Sequence, residues 1–166
     1  MNFLANRSNL QLRRLHRELI TNRFESDSVF SDVRFCRASI RSPRKYRVVT
    51  KVDPRLLLDD TSYPTSEARI EVGFDHVGTA GQDQYWINWV EPERSLLIGW
   101  HQDETHPEFG EVHLQVSHEN TTVEHLPAEF IGSHPQDVLS RRLNRLPRTV
   151  EAVQWQESRP IGFDFE

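Results

Sequence analysis

Apolar and polar side chains alternate along the middle of the chain. Residues 67–75 place an apolar side chain at every second position, which is the period-two pattern of a half-buried β-strand. The same alternation recurs over residues 85–89, 96–100 and 112–116, and residues 121–125 are predicted to add a short fifth strand. Short polar or proline-containing connections separate these runs, so the pattern predicts an antiparallel meander.

Two segments, one near each end of the chain, have helical spacing instead. A capping box that begins at Ser8 precedes leucines three to four positions apart, which predicts a helix over residues 9–22. A second capping box, at Ser133, predicts a helix over residues 134–146 that stops at Pro147.

The 166 residues are predicted to form one compact α+β domain, an antiparallel sheet of four to five strands flanked by an N-terminal and a C-terminal helix. Residues 1–66 are interpreted as a basic helical region with one plausible strand. Residues 67–130 form the meander, and residues 131–166 form the C-terminal helix and a tail that is either an edge strand or a docking segment.

Composition excludes several classes of protein. The chain is 36% apolar and 27% charged, and with nine Phe, four Trp and three Tyr it contains too many aromatic residues for a disordered polyelectrolyte. It contains neither an apolar run long enough for a membrane helix nor a secretory signal. We therefore expect a cytoplasmic protein without a membrane partner. The single cysteine, Cys36, excludes an internal disulfide and a multi-cysteine zinc module.

Charge is divided unevenly along the chain. Residues 1–50 contain 11 Arg or Lys and four Asp or Glu, whereas residues 51–166 contain nine and 21. The basic part is expected to contact a polyanion or an acidic partner, or alternatively to match the acidic part within the molecule. Trp86 is out of phase with the apolar Trp89 and Trp100 and is a candidate for base stacking. The candidate nucleic-acid-binding residues are Arg13, Arg14, Arg17, Trp86, Arg94, Arg141, Arg142 and Arg145; for the arginines, a solvated basic face is the alternative.

Histidines are concentrated in one window. Six of the eight His lie between positions 101 and 134, eight carboxylates lie between Asp103 and Asp137, and no Arg or Lys occurs between Arg94 and Arg141. An acidic surrounding raises the pKa of a histidine, so we expect these side chains to be suited to acid–base chemistry or pH sensing.

Antiparallel pairing suggests which of these residues meet. His101 ends the third predicted strand and His113 begins the fourth, so they are expected to be neighbours, with Asp103 and His106 in the connection between them. His118 is expected about 17 Å from His113, at the other edge, since each residue of a strand rises about 3.4 Å.

Three interpretations of these four residues remain open. His101, Asp103, His106 and His113 are candidate catalytic residues, acting as general acid and base in phosphodiester cleavage. Three imidazoles and one carboxylate also suit a divalent metal, but the spacing matches no known metal motif, so no metal or other cofactor is assigned. The third interpretation is that they are surface histidines without a catalytic role.

The same region resembles a known family. Residues 85–89 read YWINW, residues 100–108 read WHQDETHPE and residues 112–114 read VHL. This order of a Tyr/Trp-rich strand, a second strand, an Asp-containing His-Pro loop and a His-bearing strand resembles the TumE-type toxins of prokaryotic toxin-antitoxin pairs. The resemblance covers residues 67–118. The family loop typically carries a pair of His before its Pro, whereas this chain carries one.

This resemblance implies a toxin on a small α+β sheet that acts on RNA or translation and is held inactive by a cognate antitoxin protein. The activity expected on this basis is that of an endoribonuclease or translation inhibitor. The alternative is a non-enzymatic binding or adaptor domain that contacts nucleic acid or a protein partner through its basic N-terminal region.

Overall fold

The structure is a computed structural model that describes residues 14, 15, 17–39, 42–75, 84–132 and 134–165. Four sequence predictions fall wholly or partly outside these residues: the beginning of the N-terminal helix, the candidate nucleic-acid-binding Arg13, the capping serine of the C-terminal helix and the connection before residue 84.

Seven antiparallel strands form one sheet, and their order in the sheet is their order in the sequence. The strands are β1 (Phe30–Ser39), β2 (Ser42–Val52), β3 (Ala68–Asp75), β4 (Gln84–Glu91), β5 (Leu96–Gln102), β6 (Val112–His118) and β7 (Thr121–Pro127). A separate hairpin near the C-terminus consists of β8 (Val153–Gln156) and β9 (Arg159–Phe163).

The α+β class and the antiparallel meander are confirmed, but the sheet is larger than the predicted four to five strands. The additional strands are β1 and β2, in a region where one strand was expected. Pro43 and Pro54 obscured them, because prolines interrupt the apolar pattern there. Pro43 is the second residue of β2 and Pro54 follows its end, and proline is tolerated at such positions.

The helices differ from the predictions at their ends. The N-terminal helix, α1, is described at residues 14, 15 and 17–25, so it ends three residues later than predicted. A short helix, α2 (Pro54–Leu57), follows β2 and is capped by the Asp53 side chain.

The C-terminal helix, α3 (Pro135–Glu151), continues through Pro147, where the sequence predicted its end. A proline removes one backbone hydrogen bond of a helix and usually ends or kinks it. In α3 the buried side continues past Pro147 through Thr149 and Val150, and this packing against the core favours continuation of the helix. No helix within the described residues is long and apolar enough to cross a membrane.

The large sheet has one apolar and one polar face. Alternate residues of the central strands, such as Ile70, Ile87, Trp100 and Leu114, form a single buried core together with side chains of α1 and α3. The residues between them point to the opposite side. We call that side the polar face, since it presents side chains such as Asn88, His101 and Gln115.

The C-terminal hairpin lies beside the β7 edge of the large sheet. The backbone N–H of Phe163 in β9 donates a hydrogen bond to Glu124 Oε2 in β7, at 2.7 Å. The sequence predicted that the tail after the C-terminal helix is either an edge strand or a docking segment. In the structure this tail contains β9, which pairs with β8 in a hairpin.

Arg142 corrects the expectation that α3 presents its arginines on an outer basic face. The residue is only 1% exposed. Its Nη2 atom donates to Tyr85 Oη at 3.1 Å and to the Glu129 carbonyl oxygen at 2.6 Å, and its guanidinium lies 5.4 Å from the Trp100 ring centroid. These contacts join α3 to the apolar face of the sheet, so Arg142 has a structural role.

We expect Arg142→Ala to lower the free energy of unfolding by about 2–4 kcal/mol, because it removes buried charge-assisted hydrogen bonds and leaves the Tyr85 hydroxyl without this donor. The matched control is the exposed neighbour in the same helix, Arg141→Ala, which is expected to change the free energy by less than about 0.5 kcal/mol. Urea denaturation of both variants measures the difference. Equal stability of the two variants would contradict the structural role of Arg142.

Candidate functional site: a histidine cluster on the polar face

Three side chains stand side by side on the polar face. Trp86 of β4 is directly opposite His101 of β5, which is in turn opposite His113 of β6. Directly opposed residues of antiparallel strands point to the same side of the sheet. The predicted adjacency of His101 and His113 is therefore present, and their ring centroids are 5.4 Å apart.

The connection between β5 and β6 folds back over this row. The His106 ring centroid lies 5.2 Å from that of His113 and 4.3 Å from that of His125, which belongs to β7. Phe109 of the same connection lies 5.4 Å from His125. His113 is 1% exposed as a result. We refer to His101, His106, His113 and His125 as the histidine cluster.

Asp103 adds a carboxylate to the cluster. Potential ligand atoms of His101, Asp103 and His113 all lie within 4.8 Å of one another. The backbone N–H of Thr105 donates to Asp103 Oδ1 at 2.8 Å, which fixes the position of the carboxylate. The structure thus brings together all four candidate catalytic residues that the sequence indicated.

Polar side chains of the sheet orient two of the imidazoles. His101 Nε2 lies 2.8 Å from Asn88 Oδ1, and His125 Nε2 lies 3.0 Å from Gln115 Oε1. Because an amide oxygen only accepts, each Nε2 carries the proton and each Nδ1 carries the lone pair. Gly99 provides the necessary space, since a Cβ atom there would lie 2.1 Å from Asn88 Oδ1.

Burial reverses the expected direction of the pKa shifts. Desolvation lowers the pKa of His101 to about 4, and it also lowers the pKa values of His113 and His125. The neighbouring histidines lower the pKa of His101 further, and the carboxylate of Asp103 only partly opposes them. The expectation of raised pKa values was therefore wrong for these three side chains, which are neutral at pH 7.

Two cavities, of about 510 and 530 Å³, open along the polar face. The 530 Å³ cavity, beside Trp86, is the one that borders the histidine cluster. Asn88, His101 and Asp103 line this cavity together with Trp86. The Trp86 ring lies flat across Gly73, where a Cβ atom would come within 2.0 Å of it. Trp86 is half-buried, unlike the fully buried Trp89, so one side of an aromatic ring borders the cavity.

The candidate nucleic-acid-binding arginines lie away from this cavity. Arg14 pairs with Glu18 at 2.9 Å, and the Arg17 guanidinium lies 4.2 Å from the Phe35 ring centroid. Arg145 pairs with Glu129 at 2.5 Å. Arg141 is exposed on α3, which packs on the other face of the sheet, and Arg13 lies outside the described residues.

Arg94 and His118 lie at the opposite end of β5 and β6 from the cluster. His118 is paired with Leu96, the first residue of β5, as the strand geometry predicted. The Arg94 guanidinium lies 3.7 Å from the Trp155 ring centroid and 3.3 Å from Glu91 Oε2. The contact with Trp155 attaches the C-terminal hairpin to the sheet. Arg94 therefore has its partners at the end of the sheet away from the histidine cluster.

Sequence reasoning missed three residues of the site: His125, Asn88 and Gln115. Two signals pointed to Asn88 and Gln115, and none to His125. Asn88 and Gln115 are amides at the centres of strands that line the core with their alternate residues, where an unpaired polar group is costly. Gly73 and Gly99 are isolated glycines inside strands, which often mark the close approach of another group.

Comparison of the chain with protein-family models, with curated proteins and with solved structures finds no match. The resemblance to TumE-type toxins therefore stays a prediction that rests on the quoted residues.

The lowered pKa of His101 predicts how stability depends on pH. Between pH 6.5 and about 4 the unfolded chain binds a proton on His101 that the folded protein does not, so the free energy of unfolding falls as the pH is lowered through this window. His101 contributes on the order of 3 kcal/mol, and His113 and His125 add to it in the same direction.

Urea denaturation in the presence of EDTA, at intervals from pH about 4.5 to 7, measures this dependence. His101→Asn is expected to flatten the profile, whereas the same change at the exposed His134 is expected to leave it as in the wild type. A wild-type profile that is flat over this range would show that the cluster is not buried in its neutral form.

Proposed function

We propose that the histidine cluster cleaves phosphodiester bonds of single-stranded RNA and that the protein is the toxin of a toxin-antitoxin pair, inhibited by a cognate antitoxin protein. One observation carries the proposal: a single 530 Å³ cavity is lined by an aromatic ring, Trp86, and by two groups suited to proton transfer, His101 and Asp103. A nucleotide presents both an aromatic base and a reactive phosphate, and this cavity has a counterpart for each.

Neutral imidazoles support a general-base role. His101 has a low pKa and its Nε2 atom is occupied by Asn88, so its Nδ1 lone pair is available at neutral pH. In the proposed reaction this nitrogen takes the proton of a ribose 2′-hydroxyl, and the 2′-oxygen attacks the adjacent phosphorus. The bond from phosphorus to the 5′-oxygen of the next nucleotide then breaks.

The departing 5′-oxygen must receive a proton. His106 is the candidate donor, because it lies in the loop above the cluster and its Nδ1 atom is 3.3 Å from Glu108 Oε1. This contact with Glu108 orients the His106 ring. The products are a 2′,3′-cyclic phosphate and a 5′-hydroxyl. His101 has gained the proton of the 2′-hydroxyl, and His106 has given a different proton to the 5′-oxygen.

Trp86 gives the cavity a surface for a base. Its ring is supported from beneath by Gly73 and is open on the side of the cavity. Stacking of a base on an aromatic side chain is worth about 1–3 kcal/mol and does not depend strongly on sequence. Such a surface suits an unpaired strand better than a duplex, whose bases are already stacked.

Toxicity and RNA cleavage test the proposal together. Expression of the wild-type protein is expected to arrest growth, and the purified protein is expected to cleave a labelled single-stranded RNA. His101→Ala and His106→Ala are expected to lower the cleavage rate by about 10²- to 10⁴-fold, since this is the usual contribution of a general acid or base. Trp86→Ala is expected to weaken RNA binding more than it lowers the rate of the bound complex.

His118→Ala is the matched control, because His118 is in β6 like His113 but at the far end of the strand. It is expected to retain wild-type cleavage and toxicity. Circular dichroism of each variant verifies that it is folded. A wild-type protein that neither arrests growth nor cleaves RNA, or folded His101 and His106 variants that remain fully active, would overturn the proposal and favour the adaptor function.

A further inference from the structure

Within the described part of the chain, no cationic side chain that could hold a phosphate lines the cavity beside Trp86. Among the described residues that line it, the only charged groups are the carboxylates of Asp103 and Glu104. The arginines of α3 lie on the other face of the sheet, and Arg94 lies at the far end of the strands. Cleavage of a phosphodiester requires positive charge at the phosphate, so the site as described is electrostatically incomplete.

We propose that His101, Asp103 and His113 form a binding site for a zinc-like divalent transition-metal ion. This inference deepens the proposed function: the catalytic use of the ion rests on that function, but the binding of the ion does not. An ion bound to His101 Nδ1 occupies the lone pair that serves as the general base in the metal-free protein, so the bound ion would replace His101 in activating the 2′-hydroxyl. Three arguments from the described residues support the site, and they concern donor geometry, donor orientation and an unsatisfied buried nitrogen.

The donor geometry needs little adjustment. One ligand atom from each of the three residues lies within 4.8 Å of the other two. Zn²⁺ binds imidazole nitrogen at about 2.0–2.1 Å and carboxylate oxygen at about 2.0–2.2 Å, so ligand atoms in a tetrahedral site are roughly 3.4 Å apart. The three donors therefore have to converge by about an ångström.

Hydrogen bonds already orient two of the donors. Asn88 accepts from His101 Nε2, which leaves the Nδ1 lone pair of His101 for a metal. The backbone N–H of Thr105 holds Asp103 Oδ1, which leaves Oδ2 available. A metal-ligating group is usually fixed through its other polar atom in this way. His125 is oriented similarly by Gln115 but does not belong to the group of three ligand atoms.

The His113 ring contains an unsatisfied nitrogen. Its Nδ1 atom is buried and has no hydrogen-bond partner within the described part of the chain. A buried polar atom without a partner costs about 1–3 kcal/mol and calls for an explanation, such as an ion. The ring is surrounded by the rings of His101, His106 and His125, each with its centroid 5.1–5.4 Å away.

The donor set selects the class of metal. Imidazole nitrogens with one carboxylate suit Zn²⁺ and its first-row neighbours, whereas Mg²⁺ and Ca²⁺ require mostly oxygen ligands. With three protein ligands, a zinc-like site also keeps a position for water or a phosphate oxygen.

Isothermal titration calorimetry of the full-length, EDTA-dialysed protein with Zn²⁺ alone tests the proposal. Titration with Co²⁺, measured by its visible absorption, supplies a second readout. The wild-type protein is expected to bind one ion per chain. Asp103→Asn and His101→Ala are expected to weaken binding by at least about 10-fold, and Asn88→Ala by about 10- to 100-fold, the usual effect of losing an orienting group. His118→Ala is the control and is expected to bind as the wild type does.

The proposal is wrong if the wild-type protein shows neither heat of Zn²⁺ binding nor Co²⁺ absorption, or if the folded Asp103 and His101 variants bind as tightly as the wild type. RNA cleavage in EDTA separates this proposal from the proposed function. Cleavage that persists in EDTA, by a protein that binds Zn²⁺ stoichiometrically, would overturn the catalytic use of the ion and leave both the binding site and the ribonuclease intact. Stoichiometric Zn²⁺ binding without RNA cleavage would support the metal site and overturn the ribonuclease.

Discussion

The register between β4, β5 and β6 controls what the polar face presents. Side chains alternate between the faces of a sheet with a period of two, so a slip of one residue would expose Trp100 and Leu114 and bury His101. Burial of a large apolar side chain stabilises the fold by about 1.5–3 kcal/mol, and the core contains many of them. The histidine cluster is therefore positioned by the apolar packing on the opposite side of the sheet.

Two glycines on the polar face give that arrangement its space. Gly73 accommodates the Trp86 ring, and Gly99 accommodates the contact between Asn88 and His101. Glycine inside a strand weakens the strand because it provides no side chain to pack. The two positions at which glycine weakens the sheet both border the proposed site.

The sequence predicted the central strands and the convergence of His101 with His113, because both follow from local alternation and antiparallel pairing. It indicated one strand where the structure has both β1 and β2, because prolines and polar residues at the sheet edge break the alternation. It also missed His125, since only the folding back of the loop that carries His106 brings His125 into the cluster. Such a loop path depends on tertiary contacts that no local pattern records.

Electrostatic predictions failed for a related reason. Counting carboxylates near the histidines along the chain indicated raised pKa values, but desolvation in the folded protein outweighs those carboxylates at His101. Spacing along a helix likewise placed Arg142 with its exposed neighbours, whereas a hydrogen bond to Tyr85, 57 residues away, holds it in the interior. Burial is set by the whole fold, and charge counting along a chain does not measure it.

The strictly sequential strand order also bears on how the protein folds. Each strand of the large sheet pairs only with strands next to it in the chain, so the contacts have low sequence separation for a β-sheet, and small separations lower the entropic cost of closing each loop. The polar side chains of the cluster come from one continuous stretch between β4 and β7. Three successive hairpins are sufficient to assemble that stretch, so the cluster needs neither terminus of the chain to be paired first.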